Sequence, residues 1–159
     1  MLDDLLKSIK SHEGFAQSPY IDPLVIKNPQ KAGFTKSMMS FVKLALRKLK
    51  LTFGYGFTFL TQEEADAVLE IRVKSVIKEL EKETKVFNAL PLEVQAILTE
   101  MAYQMGVSGL MNFKKMWSAL EVEDFEEAKI QMLDSRWAKQ TPTRALSLSK
   151  RMSKTMSIL

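Results

Sequence analysis

The chain has 159 residues, 46% of them hydrophobic, and a net charge of +4, enough to bury one good core or two small lobes but too little for two large independent domains. It has no cysteine and one histidine, His12, which excludes a disulfide framework, a thiolate metal site and a histidine-based zinc site. Any chemistry must therefore come from oxygen and nitrogen side chains.

The N-terminal stretch MLDDLLKSIKSHEG alternates acidic, apolar and basic residues. It has no apolar core of signal-peptide length, so the expectation is synthesis in the cytoplasm without export by the usual secretory route. No run approaches the ~18 to 20 apolar residues of a membrane span. Leu2, Leu5, Leu6 and Ile9 share one face at helical spacing, which predicts a helix over 2–12 that ends at Gly14 in a left-handed residue and leaves Glu13 in the last turn.

Residues 23–50 contain Lys27, Lys31, Lys36, Lys43, Arg47, Lys48 and Lys50 and no acid. This segment carries +7, leaving 4 minus 7, or −3, on the rest, so the basic character belongs to an insert. Within it Met38, Phe41, Val42, Ala45, Leu46 and Leu49 oppose Lys43, Arg47 and Lys50, the pattern of an amphipathic helix over about 36–50 with a cationic face. That face suits an anionic polymer or a membrane surface.

LTFGYGFTF (51–59) has the aromatic, threonine and glycine content of a short β-hairpin. Thr61-Gln62-Glu63-Glu64 has the form of a capping box, and Leu69, Val73, Val76, Ile77 and Leu80 continue a helix of about 20 residues, ~30 Å long. A helix of that length can join two lobes. LEVQAILTEMAYQMGV (92–107) is apolar around most of its circumference and predicts a helix buried at the centre of a C-terminal lobe. Asp124 caps DFEEAKIQML, and Pro142-Thr143 opens TRALSLSKRMSKT. Trp117 and Trp137 are expected in the core, the methionines as core filler, and His12 facing solvent.

Taken singly, a glutamate before glycine at a helix end is surface punctuation, and an aspartate before proline initiates a turn. Taken in order, KSHEGF, Tyr20 and Asp22, LTFGYGFT, AYQMGVSGL and SRWAKQTPTRA resemble the phage-type lysozymes of glycoside hydrolase family 24, the T-even phage kind in particular. The resemblance covers nearly the whole chain apart from the basic insert. It implies a mainly α (α+β lysozyme-like) fold and a single domain over 1–159. Its parts are an N-terminal lobe at about 13–60 with a short β-hairpin, a linking helix at about 62–82, and an all-helical lobe at about 83–159 that includes helix 2–12.

The resemblance also implies roles. Glu13, Asp22 and Thr52 match the catalytic glutamate, aspartate and threonine, with the Glu13 carboxyl facing a cleft between the lobes. Arg144, in the intact context Thr141-Pro142-Thr143-Arg144-Ala145, matches an arginine that pairs with that glutamate. Gln104 matches a cleft-facing position, where an amide can both donate to and accept from a sugar. Glycoside hydrolysis needs a proton donor at the leaving oxygen and a group that activates water on the opposite face of the sugar, and two carboxyls in unlike environments supply both. The implied activity is an inverting muramidase cutting the β-1,4 bond between N-acetylmuramic acid and N-acetylglucosamine. The carboxyls would stand ~6.5 to 9.5 Å apart, and no metal or organic cofactor is required. The implied setting is an endolysin, monomeric, made in the host cytoplasm and acting on the wall in the periplasm once another protein has permeabilised the membrane. Its partner is the peptidoglycan glycan strand rather than nucleic acid.

Two departures from the family pattern stand out. Twenty-nine residues, 23 to 51, separate Asp22 from Thr52, where the family has only a few. Phe57 replaces a histidine, and Arg72 stands where the acid that pairs with that histidine would lie, a coupled replacement. Three readings therefore stay open: the muramidase, a catalytically impaired wall-binding module, and a membrane-active protein acting through residues 36–50.

Overall fold

The computed structural model of the chain describes residues 2–13, 15 and 60–156. The hairpin at 51–59, the basic helix at 36–50, the turn at Gly14, and Asp22, Thr52 and Phe57 lie outside the described residues. The chain divides into two compact units, one of Met1–Gly14 with Val68–Leu159 and one of Phe15–Ala67. The core and candidate site described below belong to the first.

Among the described residues the secondary structure is helical throughout, with no strand. The helices are α1 (Leu2–Glu13), α2 (Gln62–Glu83), α3 (Val86–Ala89), α4 (Leu92–Met105), α5 (Val107–Met111), α6 (Lys114–Glu121), α7 (Phe125–Leu133), α8 (Arg136–Gln140) and α9 (Pro142–Met156). The fold is mainly α. No described helix is long and apolar enough to cross a membrane.

Local chemistry sets several of these boundaries. The backbone N–H of Thr61 donates to Glu64 Oε2 at 2.8 Å, and the N–H of Glu64 donates back to Thr61 Oγ1 at 3.2 Å. This reciprocal box satisfies two amides that the start of α2 would otherwise leave unpaired. Asp124 caps α7 by accepting from the N–H of Glu127 at 2.9 Å, and Ser135 caps α8 by accepting from Ala138. Pro142 opens α9, where its missing N–H is no loss.

The apolar run at 92–107 is not one helix. It stops at Met105 because Gly106 takes φ +81° and ψ 154°, a conformation that a residue with a Cβ rarely adopts. Val107 then begins α5.

The core forms around α4, where Val94, Ala96, Ile97, Leu98, Met101 and Ala102 are buried. α4 packs against α1, α5 and α9, and α7 fits between α6 and α9. α9 presents Ala145, Leu148 and Met152 to this core, positions three and four apart that form one helical stripe. Trp117, Trp137, Met116 and Met132 belong to the same main cluster, with Phe87, Leu110 and Leu120 among its other members. A second, smaller cluster joins Leu5 and Ile9 of α1 to Val73 of α2 and Ala96 of α4, and it anchors α1.

Candidate active site

Glu13 is the last residue of α1. Asp3 and Asp4 in the first turn and Lys10 and His12 in the last complement the helix dipole, while Leu5 and Ile9, fully buried, fix which face of the helix points inward. The helix thus delivers a carboxyl at its C-terminal end.

Arg144 sits in the first turn of α9 and is only 8% exposed. A cation is disfavoured at the positive end of a helix dipole, and a buried cation is costly unless paired. Its position is accounted for by Glu13: Nη2 of Arg144 donates to Oε1 of Glu13 at 2.8 Å. Among the described residues the second oxygen, Oε2, makes no hydrogen bond. Glu13 is 44% exposed in its side chain. One carboxyl oxygen is held by the guanidinium, and the side chain remains partly open to solvent.

Gln104 lies in the last turn of α4 and is exposed. Its Oε1 accepts from the indole N–H of buried Trp137 at 2.7 Å, which fixes the amide's orientation. With the oxygen engaged, the amide NH₂ has no partner among the described residues and is free to donate. Trp137 also lines a cavity of about 470 Å³ together with Phe113, Lys114, Gln131, Asp134 and Arg136. Trp117 uses its indole N–H internally, donating to the Leu110 carbonyl at 3.1 Å.

His12 does not face solvent as expected. Its side chain is 18% exposed, and Nδ1 lies 2.6 Å from Oε1 of Glu100, itself 1% exposed. The reason is register: Leu5, Ser8, Ile9 and His12 fall on one side of α1, so the stripe that buries Leu5 and Ile9 carries His12 inward as well. Glu100, the partner of His12, and Ser8 and Arg151, which also reach Glu100, were passed over by the sequence reading. The one available signal was a glutamate in the middle of an otherwise apolar helix, since a carboxylate buried there requires donors.

Of the expected site residues, the structure brings Glu13 and Arg144 together and places Gln104 against Trp137. Asp22 and Thr52 lie outside the described residues, and Arg72 is exposed on α2. Among the described residues no group of three or more His, Asp or Glu side chains could hold a metal ion.

Comparison with known proteins bears on this arrangement. The chain is 34% identical over 89 residues to the pre-baseplate central spike protein Gp5 of Enterobacteria phage T4, a match that takes in 54% of this chain and 16% of the spike protein. It is 28% and 27% identical, again over 89 residues and 54% of this chain, to "Probable T4-type lysozyme 2" and "Probable T4-type lysozyme 1" of Dictyostelium discoideum. The chain spans about half the length of each of those two relatives. The family model described as phage lysozyme matches residues 10–154. That match runs from the second half of α1 almost to the end of α9 and takes in Glu13, Gln104 and Arg144, so the chain belongs to the phage lysozyme family.

Proposed function

We infer that the chain is a peptidoglycan-degrading lysozyme that hydrolyses the β-1,4 bond between N-acetylmuramic acid and N-acetylglucosamine with Glu13 as its general acid. The observation that carries this reading is the Glu13–Arg144 pair. A carboxyl held through Oε1 by a buried guanidinium, with Oε2 making no hydrogen bond among the described residues, supports a role in handing a proton to a leaving oxygen.

In this reaction the proton on Oε2 of Glu13 passes to the glycosidic oxygen, which leaves on the N-acetylglucosamine. A water attacks C1 of the N-acetylmuramic acid from the opposite face and gives its proton to Asp22, with the Thr52 hydroxyl orienting that water. Attack opposite to departure inverts the configuration at C1. The Gln104 NH₂, aimed by Trp137, donates to a carbonyl or hydroxyl oxygen of the glycan. The +7 of residues 23–50 attracts the anionic wall, and the resulting cell-wall breakdown is the biological role we assign.

The test is the chemistry of the new chain ends. Purified peptidoglycan treated with the protein, reduced with borohydride and analysed by mass spectrometry should yield N-acetylmuramitol ends. N-acetylglucosaminitol ends, anhydro sugars or no new ends would overturn the reading.

A further inference from the structure

Glu100 sits in the middle of α4 at 1% exposure. A buried carboxylate is strongly disfavoured unless donors reach it. Three do. Ser8 Oγ donates to Oε2 at 2.6 Å, Arg151 Nη1 donates to the same oxygen at 3.1 Å, and His12 Nδ1 lies 2.6 Å from Oε1. Arg151 also donates from Nε to Glu93 Oε1 at 2.6 Å and from Nη1 to Ser8 Oγ at 3.2 Å. These bonds tie α1, α4 and α9 to one another.

The tie engages Ser8 and His12 in the second half of α1, within five residues of Glu13 at its end. Arg144 and Arg151 are seven residues apart on α9, two helical turns, so they leave the helix on one side. Arg144 meets Glu13 at the end of α1, and Arg151 meets Ser8 near its middle. The two arginines are thus rungs between helices that run in opposite directions.

Apolar contact alone would not set this geometry. Leu5 and Ile9 hold α1 against Val73 and Ala96, but hydrophobic contact is non-directional, and a proton donor must be held to within about half an ångström. Hydrogen bonds of fixed direction supply that restraint. We propose that Glu100, with Ser8, His12 and Arg151 as its donors, is the positioning network of the Glu13 carboxyl, fixing the rotation and axial placement of α1 so that Oε1 meets Arg144. The proposal rests on the reading of Glu13 as the acid. The four act through Glu13.

The test compares His12→Leu, which removes the donor to Glu100, with His12→Asn, whose amide nitrogen falls close to the position of Nδ1. Two properties are measured on the full chain at a temperature where both variants are folded: kcat and KM on soluble peptidoglycan fragments, and the NMR signals of the Arg144 guanidinium, which slow in exchange and rotation when the group is held and are assigned through Arg144→Lys. His12→Leu should lower kcat by about 10- to 100-fold, leave KM unchanged and lose the slow Arg144 signals, and His12→Asn should restore both. Ser8→Ala, which removes a different donor to Glu100, should act in the same direction and stands in if His12→Leu does not fold. A folded His12→Leu protein with wild-type kcat and intact Arg144 signals overturns the network while leaving the lysozyme reading in place. Loss and recovery of the Arg144 signals in a protein that cleaves no peptidoglycan upholds the positioning and removes the lysozyme reading.

Discussion

Arg144, buried in the first turn of α9, donates from Nη2 to Oε1 of Glu13, 131 residues earlier in the chain and 2.8 Å away. Neither helix needs the pair for its own formation, since Arg144 stands at the end of α9 where a cation is disfavoured and Glu13 is 44% exposed. On the proposed reading the pair orients a carboxyl.

Arg144→Lys follows from this. An ammonium on a flexible stem cannot reproduce the planar donor geometry of a guanidinium, so Glu13 is less well held. kcat should fall by roughly 10-fold or more, because misplacement by about an ångström is costly. Stability should fall by less than the ~3–5 kcal/mol that breaking a buried pair costs, since lysine keeps a cation beside Glu13. Urea denaturation alongside steady-state kinetics checks both. A drop in stability of several kcal/mol with kcat preserved would assign the pair to folding instead.

Gln104 separates two roles by two substitutions. Gln104→Leu removes the acceptor of the buried Trp137 N–H and should cost about 1–3 kcal/mol, visible as an earlier unfolding transition in tryptophan fluorescence. Gln104→Glu keeps an acceptor but has no NH₂. It should unfold like the wild type while KM rises. Equal KM values for Gln104→Glu and the wild type would remove Gln104 from substrate contact.

Gly106 ends α4 at φ +81°. A Cβ added there meets no atom within 4 Å, so Gly106→Ala should destabilise through backbone strain alone, by about 1–3 kcal/mol. Chemical denaturation measures it, and an unchanged midpoint would contradict the account of why the apolar run at 92–107 divides at this residue.

Asp124 caps α7 by a bond to Glu127 of the same helix, so Asp124→Ala should lose about 0.5–2 kcal/mol of stability with kcat and KM unchanged. It calibrates the other variants by showing what a purely structural loss does to the kinetics.

How far each feature could be read from sequence depended on how local its cause is. The Thr61–Glu64 box, the Asp124 cap and the Leu5–Ile9 stripe are written within four residues and are seen as expected. The end of α4 at Met105 was missed because glycine inside an apolar run signals a break only through the φ it adopts. His12 was expected in solvent because burial is decided by what packs over a residue, and its partner Glu100 lies 88 positions away. Glu100 passed unnoticed for the same reason, since its donors come from two other helices. The Arg144–Glu13 geometry is different in kind: composition and periodicity carry nothing of it, and only the resemblance of the Thr141–Ala145 stretch to a known family pointed there.

The most direct test of the central claim is the rate at which Glu13→Gln cleaves purified peptidoglycan beside the wild type. Glutamine keeps the size of the side chain and an oxygen to accept from Arg144, so the fold and that contact persist, but it has no proton to give. The account predicts hydrolysis by the wild type and a loss of about 10²- to 10⁴-fold or more in the variant, with an unchanged unfolding midpoint. Retention of more than about a tenth of wild-type activity by a folded Glu13→Gln protein would contradict it.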